Sequence, residues 1–180
     1  AVESTRWSPN SVNLAVVQRY LVSNELATDN IYYTTTIDHG DWDQGGRVFQ
    51  AESRGDPCLS LLCASNLLYL AGTESIDVYY PTGTASPPFA RSHTVTRGIA
   101  GPRAMLQVEG TVYFMDNRRR ICRIVDRQPE VLSFEIEKSL LHLERVDDVV
   151  ATRMDIEGKH LLLWTFPTDG VSFVTDYALS

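Results

Sequence analysis

Short runs of aromatic and β-branched residues alternate along the chain with polar, turn-forming stretches, a pattern of strands. Four places read as hairpins. The first is Ile31-Tyr32-Tyr33-Thr34-Thr35-Thr36, followed by the turn-rich Asp38-His39-Gly40-Asp41. The second joins residues 67–70 to 76–80 through Ala71-Gly72-Thr73-Glu74-Ser75, and the third joins 111–115 to 121–125 through Asp116-Asn117-Arg118-Arg119-Arg120. The fourth joins 161–166 to 171–174, with Pro167, Asp169 and Gly170 supplying turn dihedrals. Their starting points recur at roughly 35 to 50 residues, the period of four-stranded propeller blades.

Several of these strands are apolar on both sides of the pleat. Val112 and Phe114 project one way, Tyr113 and Met115 the other. A sheet with one wet face would alternate, so such strands need cover on both faces. The expected fold is therefore all-β, with propeller-like stacked antiparallel sheets that need not form a complete ring; a β-sandwich is the alternative. One stretch departs from the pattern. From Ser133 to Glu144, Ile136, Leu140 and Leu143 fall on one helical face, with Ser133 as expected cap and Glu135 and Glu137 near the positive end of the dipole. This predicts one short helix packed over a sheet edge, with partner binding as the sharper reading.

Composition narrows the functional classes. The 180 residues are 43% hydrophobic and 22% charged, enough apolar material for a packed core. The longest apolar segment, 161–166, falls far short of the roughly 20 residues of a bilayer span, so no membrane insertion is expected. Cys58, Cys63 and Cys122 lack metal-ligand spacing and sit among apolar residues, which reads as reduced, buried thiols. The net charge of −7 argues against a task of gripping nucleic-acid phosphates.

Candidate chemistry is sparse. Asp38, Asp41 and Asp43 with Gly45 and Gly46 could attract a hard cation, but the spacing is not that of an EF-hand. His93 and His160 lie beside predicted strands, where a lone histidine is more often a rim residue than a base. Glu52, Glu74 and Asp77 offer carboxylates of the glycosidase type without a demonstrable spacing. Gly98-Ile99-Ala100-Gly101 lacks the features of a phosphate loop and reads as a turn. No catalytic residue, metal ligand or cofactor is assigned. The concentrated positive charge is Arg118-Arg119-Arg120, read as a hydrated turn or, alternatively, an interface to phosphates or an acidic partner.

From Arg47 onward the order of several short strings resembles the packaged-DNA stabilisation proteins of short-tailed phages, the tail hub family. They are Ala51-Glu52 and Asp56-Pro57; residues 70–80; Thr82-Gly83; Pro88-Phe89-Ala90-Arg91; and Arg97-Gly98-Ile99. Then follow 110–115, the basic turn into Ile121-Cys122-Arg123-Ile124, Gly158-Lys159-His160, Thr165-Phe166-Pro167 and Val174-Thr175-Asp176-Tyr177. Chains of that family are longer, and the Ala1 start and Ser180 end are those expected of a fragment or processed chain. The resemblance implies an N-terminal β segment over 1–46 and propeller-like blades over 47–180. It further implies a non-enzymatic virion protein of the phage tail, assembled in the host cytoplasm. Such a protein would form a ring of its own copies, a hexamer, against portal and adaptor proteins and tail needle or tailspikes. It would close the portal vertex, stabilise packaged DNA and let double-stranded DNA pass on ejection. Two other classes stay open: a propeller hydrolase of host glycans, and a non-viral interaction scaffold.

Overall fold

The computed structural model describes residues 11–25, 28–34, 48–50, 55–84 and 88–176. They form fifteen strands and one helix, arranged as four antiparallel sheets that follow one another along the chain. The first sheet holds β1 (Ser11–Val17), β2 (Tyr20–Glu25), β3 (Asn30–Tyr33) and β4 (Val48–Gln50). The second holds β5 (Ser60–Ala64), β6 (Leu67–Ala71), β7 (Ile76–Pro81) and β8 (Phe89–Val95). In the third are β9 (Met105–Val108), β10 (Thr111–Met115), β11 (Ile121–Val125) and β12 (Gln128–Val131). The helix α1 (Glu137–Leu141) comes next, and the fourth sheet has three strands, β13 (Val150–Ile156), β14 (Lys159–Phe166) and β15 (Val171–Asp176).

Each sheet is a simple meander, so each strand pairs with its sequence neighbour. The first strands of successive sheets stand side by side: β1 by β5, β5 by β9 and β9 by β13. This is the radial stacking of propeller blades, and none of the sheets closes on itself. Because β4 pairs with β3, the first sheet runs across the 46/47 boundary expected from sequence.

The hairpin between the first and second strands recurs as a two-residue turn. Gln18, Ser65, Glu109 and Glu157 open these turns at positive φ, about 45 residues apart. Ser65-Asn66, Glu109-Gly110 and Glu157-Gly158 have both residues left-handed, the backbone that matches the twist of the flanking strands. Sequence patterning found the second and third strands of the last three blades and only β3 of the first, and passed over β1, β2, β5, β9 and β13. Those first strands are short, as in β9, or carry polar residues on a wet side, as in β13 with Thr152, Arg153 and Asp155 exposed.

The core explains why the middle strands are apolar on both faces. Leu61, Leu68, Leu70 and Tyr79 of the second sheet pack with Ala15, Val17, Val22 and Ile31 of the first. The opposite face of that sheet, with Ala64, Tyr69, Ala71 and Val78, joins a core containing Val112, Tyr113, Phe114 and Met115. Leu162, Trp164 and Phe166 extend this core into the fourth sheet, and all three are fully buried. The second and third sheets are covered on both faces, which rules out the sandwich alternative.

The helix is shorter than its apolar stripe suggested. Leu140 and Leu143 are buried and Ile136 partly so, as the stripe predicts. Ser133 does not cap it. The N-cap position falls at Ile136 without a side-chain bond, because the Ser133 hydroxyl instead accepts the Ile121 amide at 3.1 Å. That diversion pins the post-β12 connection to β11 and delays the helix by a turn.

Candidate interaction site at the basic turn

Strand β10 is buried from Val112 to its end at Met115; the next residue, Asp116, is also fully buried. A carboxylate so placed must find donors from its own turn and its neighbours. Its Oδ1 accepts the backbone amides of Arg118 at 2.9 Å and Arg120 at 2.8 Å, which closes the turn. Its Oδ2 takes Arg120 Nε at 3.1 Å and Arg97 Nη1 at 3.3 Å. Cys122 lies against the same group, with Sγ 3.9 Å from Oδ2 and 3.5 Å from Arg97 Nη1. Two guanidiniums on one carboxylate leave no buried charge of the turn without a counterion.

The remaining residues of the turn reach outward to other elements. Asn117 donates from Nδ2 to the Thr73 carbonyl at 2.6 Å, bridging to the β6–β7 turn of the preceding sheet. Arg119, left-handed at φ 64°, sends Nη1 to the carbonyls of Leu140 and Leu141, each at 3.3 Å, and of Leu143 at 2.5 Å. These carbonyls lie at the C-terminal end of α1, where a cation is favoured; that of Leu140 also accepts the Leu143 amide at 3.4 Å. Of the three arginines singled out from the sequence, Arg119 and Arg120 are thus committed to structural partners. Arg118 is exposed and, among the described residues, engages through its backbone amide. The reading of a fully hydrated turn holds for that residue only.

The same end of the stack contains three close approaches at glycine. A Cβ on Gly72 would strike the Asp56 carboxylate, one on Gly98 the Thr73 carbonyl, and one on Gly101 the Asp147 carbonyl, all well inside 3.0 Å. Asp56 itself accepts Thr73 Oγ1 at 2.7 Å and the Glu74 amide at 2.6 Å. The string read as a plain turn, Gly98 to Gly101, is therefore where the connection from the second to the third sheet threads between backbones. Sequence reasoning missed Asp116, Arg97 and Asp56. The available signal was a lone aspartate directly after an unbroken apolar strand.

Other singled-out residues do not converge on chemistry. Asp77 is buried in β7 and accepts Thr94 Oγ1 at 2.5 Å, whereas Glu74 is exposed. His93 is partly buried; burial and the nearby Arg127 hold its pKa below the ordinary value. His160 pairs with Asp155 at 2.7 Å in an exposed cluster that also contains Arg153. Burial pushes the Cys58 thiol up to about 12 and, with Asp116 beside it, the Cys122 thiol up to about 11. Cys58 and Cys122 are buried free thiols as expected; Cys63 is only partly so. Asp38, Asp41, Asp43, Gly45, Gly46 and Glu52 lie outside the described residues, among which no three His, Cys, Asp or Glu side chains group as metal ligands. No described helix is long and apolar enough to cross a membrane.

Comparison with known proteins agrees with this architecture. The extracellular domain of BT4673 from B. thetaiotaomicron superposes with a TM-score of 0.51 over 97% of the chain, at 12% identity. The chain spans 24% of that structure, and the likeness is one of fold. The Myxococcus xanthus glutaminyl cyclase matches 92% of the chain and 72% of its own length at 11% identity, with a TM-score of 0.45. None of the curated proteins matches the chain. The model of the phage stabilisation family, described as bacteriophage P22 Gp10, β-propeller, matches residues 9–178, and the chain belongs to that family.

Proposed function

We propose that the protein is a non-catalytic component of a short-tailed phage particle, a tail hub that closes the portal vertex and keeps packaged DNA inside. The observation that carries this reading is the family match across residues 9–178, on a chain whose sheets are stacked as blades. The physical build supports it. Confined DNA pushes outward on whatever closes the vertex, and that load calls for a body that does not shear. Here consecutive blades are locked by continuous apolar cores, and the Asp116 cluster with the Asn117–Thr73 bond ties the second and third blades together.

The net charge of −7 suits a wall past which DNA slides without sticking. The partners in this reading are other copies in a hexameric ring, portal and adaptor proteins, and tail needle or tailspikes. Arg118, the arginine of the basic turn left exposed, is the residue of that turn available to an acidic partner. The test is to assemble particles without this protein. They should lose packaged DNA or fail to eject it; particles that retain their DNA and eject normally would refute the proposal.

A further inference from the structure

The outer strand of the second sheet, β8, turns one side of its pleat toward the third sheet. Val95 on that side is buried in the core that the two sheets share, and so is Val78, the β7 residue opposite His93. His93, two positions before Val95, faces the third sheet as well. Its ring is held in place but incompletely bonded. Nδ1 lies 3.1 Å from the Ser92 hydroxyl, whereas Nε2 is shielded from solvent and has no hydrogen-bond partner among the described residues.

Across the joint, Arg127 is the charge that His93 meets. It stands in the turn between β11 and β12, where Asp126 and Arg127 are both left-handed, at φ 47° and 68°. The other charges of these elements are engaged or turned elsewhere. Asp77 accepts Thr94 Oγ1, and Arg91 stands opposite Tyr79, a residue of the core on the far face of the sheet. Arg123 pairs with Glu130 at 2.8 Å, and Asp126 is exposed.

A neutral imidazole suits this place and an imidazolium does not. The charged ring carries two N–H donors, finds an acceptor in Ser92 alone, and lies beside a guanidinium. We infer that the joint between the second and third sheets is sensitive to acid through His93: a proton taken up by the ring sets two cations against each other and loosens β8 from the β11–β12 turn. Burial, and after it Arg127, hold the His93 pKa below the ordinary value, so the closed joint binds this proton less readily than the open one. The contribution of the closed joint is fully present above the unfolded value near 6.5 and is lost as pH falls through the lower folded value. This inference does not depend on the phage role proposed above.

Two measurements on the purified chain test it. In an NMR titration the His93 ring should titrate below an unperturbed histidine, and Arg127→Gln should move it part of the way back, since burial remains. The second measurement is hydrogen exchange of residues 89–95 and 126–131, corrected for the intrinsic rate. Exchange there should be about threefold or more faster at about pH 5 than at about pH 7.5, with β2 of the first sheet unchanged as the internal reference. His93→Gln should abolish this acid response. His160→Gln, which removes the exposed ring bonded to Asp155, should keep it.

A His93 ring that titrates at or above the ordinary value would overturn the inference, as would an acid response that survives in His93→Gln or spreads equally to β2. Trp164 fluorescence reports whether each variant is folded. Should His93→Gln unfold, Arg127→Gln, at an exposed turn position, takes its place in the exchange experiment, with a reduced acid response expected and an unreduced one counting against the inference.

Discussion

Arg97 Nη1 stands 3.3 Å from the Asp116 carboxylate, across the joint between the second and third sheets, so a charge at the tip of one blade is neutralised from the segment that enters it. The carboxylate is fully buried, and Arg97 and Arg120 are mostly so, with side chains 19% and 24% exposed. Breaking such a cluster from one side leaves the partner charges in a poor solvent, which costs more than the intact cluster contributes.

Asp116→Ala is expected to lose about 3 kcal/mol of stability, by removing the counterion of two arginines and both turn acceptors. Asp116→Asn keeps the Oδ1 acceptor for the Arg118 and Arg120 amides and should lose about half as much. Urea denaturation of the two variants beside wild type measures the difference. Equal losses would show that charge, and not turn geometry, dominates.

Gly98→Ala is expected to cost about 3 kcal/mol or more, because the new methyl meets the rigid Thr73 backbone. Gly83→Ala provides the contrast: φ there is +77° with nothing within 4 Å, so only the left-handed strain of about 1–2 kcal/mol applies. Thermal melts that rank Gly83→Ala as the more damaging would contradict the close approach between the blades.

Arg119→Ala should destabilise by about 1–2 kcal/mol, since three carbonyls at the end of α1 lose the guanidinium that bridges them. Arg118→Ala should leave the melting temperature unchanged. If Arg118 meets an acidic partner in the particle, the same substitution weakens assembly in a salt-dependent manner, read by adding purified variant to hub-less particles at two ionic strengths.

Stability should fall in alkali. The Cys58 and Cys122 thiols are raised in the folded state to about 12 and about 11, above the unfolded value near 9. The folded state therefore holds their protons more tightly. Their contribution is fully present below about pH 9 and is lost as pH rises through the folded values. The urea midpoint of wild type is expected to drop between about pH 9 and 11 more steeply than that of the Cys58→Ala/Cys122→Ala double variant. Iodoacetamide at neutral pH should spare both residues until the chain is denatured.

Much of the architecture was legible in the chain before folding. Strand period, turn residues and the doubly apolar Thr111–Met115 run (β10) require sheets covered on both sides, because a pleat sends successive side chains to opposite faces and each apolar face needs cover from water. The third and fourth hairpins, the short helix and two buried thiols follow from those local rules.

The tertiary structure decided what local rules cannot reach. Ser133 is a sound cap by residue type, yet the Ile121 amide, twelve positions away, claims its hydroxyl. Arg118, Arg119 and Arg120 are three equal cations in sequence; the fold gives one a helix end, one a buried carboxylate and one the solvent. Gly98 looks like turn punctuation until Thr73 arrives beside it. The physical reason is common to all three. Pattern along the chain fixes which faces must be buried, whereas the partner of a polar group or a glycine is set by which segments long-range packing brings into contact.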